Sequence, residues 1–343
     1  MHRLLTTIAI RAATCLAVTT GASVPIAAGA RADTQPIRPG AVTVLHVPSA
    51  DSDLSTRDVY VYRPAAPRGA VLPVLYMLHG YPGHPPALAR WMAPVLDRLF
   101  EHGAAPFVVA IPDGNGRAHP DTEWADSVNG RTLVESSLLR KVLPAVEGPT
   151  PLPSGMRAIG GFSMGGYGAA NLGLRHPGVF GQIVSISGYY HPDDLSGMFA
   201  GRPAVLAANT PDDMVRAAAG RRIQLFESIS ESDPLIKHQA ADFAGRLRAC
   251  HCVSALDLRM VRGDHNVDFV AASTPAIAAF LDGGWSSAQW RYRAPAGPAA
   301  HRTAHSATKP TGANHAKPQR HKGGTRRHSA HRAHSHARRW HRS

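Results

Sequence analysis

Arg157-Ala158-Ile159-Gly160-Gly161-Phe162-Ser163-Met164-Gly165-Gly166-Tyr167 is the stretch on which the fold turns. Its first part, 157–162, is a short apolar run of strand length, and its second part opens a Gly- and Ala-rich helix over 164–175. Between them a G-x-S-x-G pattern reads Gly161, Ser163, Gly165. Small residues two before and two after the serine let strand and helix backbones approach without a Cβ between them. The serine Oγ is then exposed at the head of a helix, where the helix dipole favours developing negative charge. A nucleophilic serine on a sharp strand-to-helix turn is the expectation.

The flanks repeat the same rhythm. Upstream, strands are expected at 42–47, 58–63, 71–78 and 107–111, with helices at 87–102 and 132–146. The 71–78 run is almost unbroken in its apolar character, as a strand covered on both faces should be. Downstream, strands at 182–187, 222–227 and 254–261 alternate with helices at 235–249 and 267–281, after an irregular polar stretch at 189–220. Strands alternating with helices predict an α/β layer fold with a mostly parallel sheet.

A serine needs a base, and the base needs an orienting acid. Chain order places both after the serine, in loops that follow later strands. His265, in Arg262-Gly263-Asp264-His265-Asn266, lies just past the strand ending at Val261 and is the candidate base. The loop Ser228-Ile229-Ser230-Glu231-Ser232-Asp233-Pro234 offers two acids. Asp233 is the first choice, because Pro234 biases it towards an extended conformation at a helix start, and Glu231 is the second. The tetrahedral intermediate needs two N–H donors, for which the amides of Met164 and Tyr81 are the candidates. His79 and Gly80 let the loop carrying Tyr81 turn tightly. His79, Asp113 and Trp124 are candidates for the pocket, with Trp124 read equally as packed core.

These residues also carry a resemblance. Leu78-His79-Gly80-Tyr81, Pro112-Asp113-Gly114, the Trp124 segment, Gly161–Gly166 and Gly263-Asp264-His265 occur in the order seen in the putative esterase family of α/β-hydrolases. That family includes esterase D, feruloyl esterase-like enzymes and the antigen 85 mycolyltransferases. The resemblance runs from about Asp58 to Leu281 and implies an α/β-hydrolase fold, a Ser163-Asp233-His265 triad, and no metal or organic cofactor. Its expected reaction is ester hydrolysis through an acyl-enzyme, on a small-molecule or envelope polysaccharide ester. The mycolyltransferases differ after the nucleophile and use Glu as the acid, so acyl transfer in the cell envelope is the alternative that would favour Glu231. A non-catalytic envelope-binding protein is a third reading.

Charge sets the ends apart from the body. The 343 residues carry a formal net charge of +13, yet residues 33–300 hold 23 basic against 24 acidic groups. A basic nucleic-acid-binding body is thereby excluded. Residues 1–32 carry Arg3 and Arg11, an uncharged stretch, and Ala30-Arg31-Ala32, the pattern of a secretory signal cleaved before Asp33. The catalytic domain is then expected over 33–297. From 298 to 343 the chain is mostly Ala, Ser, Thr, Gly, His, Arg and Lys, with nine His, a composition expected to stay disordered. Adhesion of such a tail to anionic cell-envelope polymers, which would associate a secreted protein with the cell wall, is the functional expectation. No apolar run reaches the length of a transmembrane span. Cys250 and Cys252 flank His251; two ordinary thiols are expected first, a ring closed across His251 second, and a metal site last.

Overall fold

The computed structural model describes residues 39–66 and 69–287, so the expected signal at 1–32 and tail at 298–343 lie outside the described residues. Among the described residues, eight strands form one sheet: β1 (Ala41–Pro48), β2 (Thr56–Arg63), β3 (Val74–Leu78), β4 (Val108–Pro112), β5 (Arg157–Phe162), β6 (Gln182–Ile186), β7 (Gln224–Ser230) and β8 (Ala255–Val261). Their spatial order is β1-β2-β4-β3-β5-β6-β7-β8. Only β1–β2 and β2–β4 pair antiparallel, and from β4 to β8 every neighbour is parallel. The expected mostly parallel α/β sheet is therefore present.

Helices cover both faces. One face carries α2 (Val134–Ser137), α3 (Leu143–Glu147), α4 (Met164–Arg175) and α6 (Pro234–Cys250), with α5 (Pro203–Ala207) in the segment after β6. Leu138, Val146, Leu172, Phe243 and Leu247 pack there against Tyr76, Ile159 and Leu225. The other face carries α1 (Pro85–Glu101) and α7 (Val267–Ser287), whose Leu96, Phe100, Phe269 and Leu281 pack on Leu75, Val109 and Val184. Alternate residues of one strand thus enter opposite clusters, as a strand buried on both faces requires. Among the described residues, no helix is long and apolar enough to cross a membrane.

Several elements depart from the sequence expectation for identifiable reasons. β3 starts at Val74 rather than Val71, because Pro73 has no N–H to give to the ladder. A π-helical turn, Leu138–Val142, joins α2 to α3; Pro144 within the run removes the N–H that would otherwise close the regular bond to Arg140. β7 starts two residues later than expected and runs on to Ser230. The hydroxyls of Ser228 and Ser230 find partners in Ser273 Oγ at 2.5 Å and the Gly263 carbonyl, so polar residues can lie buried in a strand. Cys250 and Cys252 form a disulfide between α6 and β8 instead of remaining two thiols.

Candidate active site

The parallel strands β3, β4, β5, β7 and β8 end on one edge of the sheet, and the loops beyond them carry the candidate residues. Ser163 sits between β5 and α4 with φ 57° and ψ −121°, a backbone conformation that an L-residue holds only under constraint. The constraint is visible. Ser163 N–H donates to the Ile186 carbonyl at 2.9 Å, and Tyr167 N–H donates to the Ser163 carbonyl at 3.0 Å. A Cβ on Gly161 would strike the Gly165 carbonyl, and one on Gly165 would strike the carbonyl of Leu78. Only glycine at both positions lets β3, β5 and α4 close around the serine.

The loop after β3 lies against this turn, since a Cβ on Gly80 would stand 3.3 Å from Ser163 Cβ. That proximity puts the Tyr81 backbone beside the serine, and Met164, as the first residue of α4, has an N–H with no acceptor inside the helix. The Tyr81 side chain itself is half exposed. His79 is buried and acts as a brace. Gly114 N–H donates to His79 Nε2 at 2.8 Å, so Nδ1 carries the ring proton and donates to the Gly80 carbonyl at 2.8 Å. Burial lowers the His79 pKa, which keeps the ring in that neutral form.

Trp124 is 1% exposed and donates from Nε1 to the His79 carbonyl at 3.0 Å. Its ring lies 4.9 Å from the His79 ring and occupies space that a side chain on Gly114 or Gly168 would need. The structure therefore places His79 and Trp124 in packing rather than on an open pocket wall. Asp113 is partly exposed, but its Oδ1 accepts from Asn115 N and Nδ2 at 2.9 and 2.7 Å and so holds its own turn. Arg57, buried and paired with Asp51, donates to the Asp113 and Asn115 carbonyls at 2.9 and 2.7 Å.

Asp233 and His265 meet where the loops beyond β7 and β8 come together. Asp233 caps α6, its Oδ1 accepting from Ile236 N–H at 3.1 Å, while its Oδ2 stands 3.6 Å from His265 Nδ1. One oxygen anchors the acid and the other faces the imidazole. Glu231 instead points to Arg262 at 3.8 Å, nearly at solvent. The His265 ring packs against the Phe162 ring at 4.6 Å, next to the serine in sequence. Burial lowers the His265 pKa from its ordinary value, and the Asp233 carboxylate opposes that shift.

Two features of this region were not foreseen from sequence. Asn266 Oδ1 accepts from Asp268 and Phe269 N–H at 3.0 and 3.2 Å, capping α7 and fixing the residue next to His265. Asn directly before an apolar helix is a capping signal, so this one was readable. Glu123, buried beside Trp124, accepts from the Tyr189 hydroxyl, and burial together with Asp121 pushes its carboxyl up to about 8. Nothing local in the sequence announces that. Among the described residues, no group of His, Cys, Asp and Glu is placed to hold a metal ion.

Comparison with known proteins agrees with this architecture. The sequence model of the family described as Putative esterase matches residues 54–315. No curated protein matches the chain. Among solved structures, a ferulic acid esterase is similar at 22% identity and TM-score 0.60, covering 72% of this chain and 99% of its own. An S-formylglutathione hydrolase from Agrobacterium tumefaciens is similar at 18% identity and TM-score 0.60, over 72% and 96% of the two chains. MPT51 of Mycobacterium tuberculosis is similar at 20% identity and TM-score 0.55, over 71% and 98%. The fold these similarities share is that of the α/β-hydrolases.

Proposed function

The chain belongs to the Putative esterase family of carboxylic ester hydrolases, and from that premise we propose that it is a secreted serine esterase working through Ser163, His265 and Asp233. The observation that carries this reading is the Asp233 carboxylate divided between the α6 cap and His265 Nδ1, with the His265 ring against Phe162, the residue before a serine held at positive φ. Because Nδ1 faces the acid, Nε2 is the nitrogen left to serve Ser163.

The reaction follows from that arrangement. His265 Nε2 takes the Ser163 Oγ proton as Oγ bonds to the ester carbonyl carbon. The N–H groups of Met164 and Tyr81 receive the oxyanion, and Asp233 stabilises the imidazolium. Collapse breaks the C–O bond to the alcohol, which leaves with the proton from His265. Water then repeats the sequence on the acyl-serine and regenerates the enzyme. The lowered His265 pKa keeps the base unprotonated at neutral pH. Export is part of the proposal: it rests on the leader pattern of 1–32 and is supported by a disulfide, which persists in oxidising compartments.

The test is labelling of the full chain with a fluorophosphonate, followed by peptide mapping. Label on Ser163, and a kcat loss of roughly 10⁶-fold in Ser163→Ala on p-nitrophenyl esters, are expected. Label on another residue rejects the assignment. The same ester series, run from acetyl to palmitoyl with and without sugar acceptors, measures partitioning between water and acceptor and so tests hydrolysis against transfer.

A further inference from the structure

We infer that the β8 edge is a pairing surface for a second copy of this chain, joining two sheets through antiparallel β8 strands. Among the described residues β7 is the only strand that pairs with β8, so one side of β8 has no ladder. Which groups face outward can be worked out. Glu231 N–H donates to the Val261 carbonyl at 3.1 Å, so the backbone groups of Val261, Arg259 and Asp257 face β7. Those of Leu256, Leu258 and Met260 therefore face away from the sheet.

The sequence of β8, Ala255-Leu256-Asp257-Leu258-Arg259-Met260-Val261, is complementary to itself about Leu258. A two-fold axis there sets Leu258 opposite Leu258 of the second copy, Leu256 opposite its Met260, and Asp257 opposite its Arg259. All the outward backbone groups then fall at the hydrogen-bonded positions of an antiparallel ladder. The charged residues fall at the non-hydrogen-bonded positions, where facing side chains come closest. Within one chain Asp257 and Arg259 already pair at 2.9 Å on the same face, so their charges lie in the row that would meet its counterpart.

Burial fits an occupied edge. Leu256 and Leu258 are only partly buried and Met260 is 39% exposed, all on one side of the strand, whereas β3, β4 and β6 are buried throughout. A second copy would continue that apolar row. The opposite edge, β1, carries no opposed charges and ends in Pro48, which has no N–H to donate. In the paired arrangement the two β8 strands run in opposite directions, so the two sites open at opposite ends of the joined sheet and work independently.

The full chain is tested by sedimentation equilibrium at micromolar concentration in about 0.15 M salt. A dimer is expected. Arg259→Asp places like charges at both symmetry-related positions and should raise the dimer Kd by about tenfold or more. Asp257→Arg combined with Arg259→Asp restores opposed pairs and should restore the dimer. Leu258→Pro removes an outward donor that the sheet does not use and should give monomer, with circular dichroism and small-ester turnover unchanged. A wild type that stays monomeric at high micromolar concentration overturns the proposal. So does a dimer indifferent to Arg259→Asp, or a double variant that fails to recover it while remaining folded.

Discussion

Around Ser163 the chain is held by backbone contacts and buried rings, while around His265 and Asp233 it is held by a few side-chain contacts near solvent. The first region has glycines that leave no space for a Cβ, the His79–Trp124 brace and ladder bonds from β3 to β6. The second has the Asp233 cap, the Asn266 cap and a 3.6 Å approach between acid and base. The difference follows from the chemistry. A nucleophile and its oxyanion donors must be preorganised to a fraction of an ångström. A base must travel between accepting and returning a proton, and an approach longer than a hydrogen bond can tighten when substrate arrives.

The largest effect that separates the regions is expected at the acid. Asp233→Asn keeps the cap acceptor but removes the charge facing His265, and kcat/KM should fall on the order of 10⁴-fold. The sign of the pH change is also fixed. Asp233 raises the His265 pKa against burial, so the residual activity of the variant should keep its acid limb to lower pH than the wild type. An unshifted limb in the pH–rate profile would detach Asp233 from His265.

Next comes a change in the rigid region. Gly165→Ala drives a methyl group into the Leu78 carbonyl, which belongs to backbone and has nowhere to move. A stability loss of about 3 kcal/mol or more in urea denaturation is expected. Near-wild-type stability would mean that β3 and α4 can separate, and that the contrast between the regions is overstated.

How much of this could be read from the chain divides along the same line. The β5–Ser163–α4 turn was legible because glycine spacing and apolar runs encode a local close approach. His265 was legible from its place after an apolar strand. The His79–Trp124 brace was not, because it depends on two loops 45 residues apart meeting in space. The end of β7 is hidden in the sequence because Ser228 and Ser230 look like loop residues until their buried partners are known. The disulfide is not legible either, since spacing alone does not say whether two thiols are oxidised.

A smaller effect is expected beneath the acid loop. Glu227, fully buried in β7, has its carboxyl pushed up to about 8 by burial, with Tyr190 and Arg248 opposing. Between about pH 4.5 and 8 the folded chain holds a proton that the unfolded chain has released, so stability falls as pH rises through that window. Glu227→Gln removes this slope. The variant should match the wild type near pH 4 and exceed it increasingly as the pH rises to 8. A gain of the same size at both pH values would assign the effect to packing.

The smallest effect is expected at Glu231, and it decides which carboxylate belongs to the mobile region's chemistry. Glu231 lies two residues from Asp233 on the same loop, but its side chain is 46% exposed and faces Arg262 at 3.8 Å. An ion pair this open to water is worth at most about 1 kcal/mol and is screened by salt. Its backbone, not its carboxylate, ties the loop to β8, through the bond from Glu231 N–H to the Val261 carbonyl. Glu231→Gln preserves that bond and the side-chain shape, so kcat/KM should change by less than about threefold. A loss comparable to that of Asp233→Asn would move the triad acid to Glu231. It would require the loop to turn by two residues on substrate binding, releasing the α6 cap, and would reopen acyl transfer as the reaction.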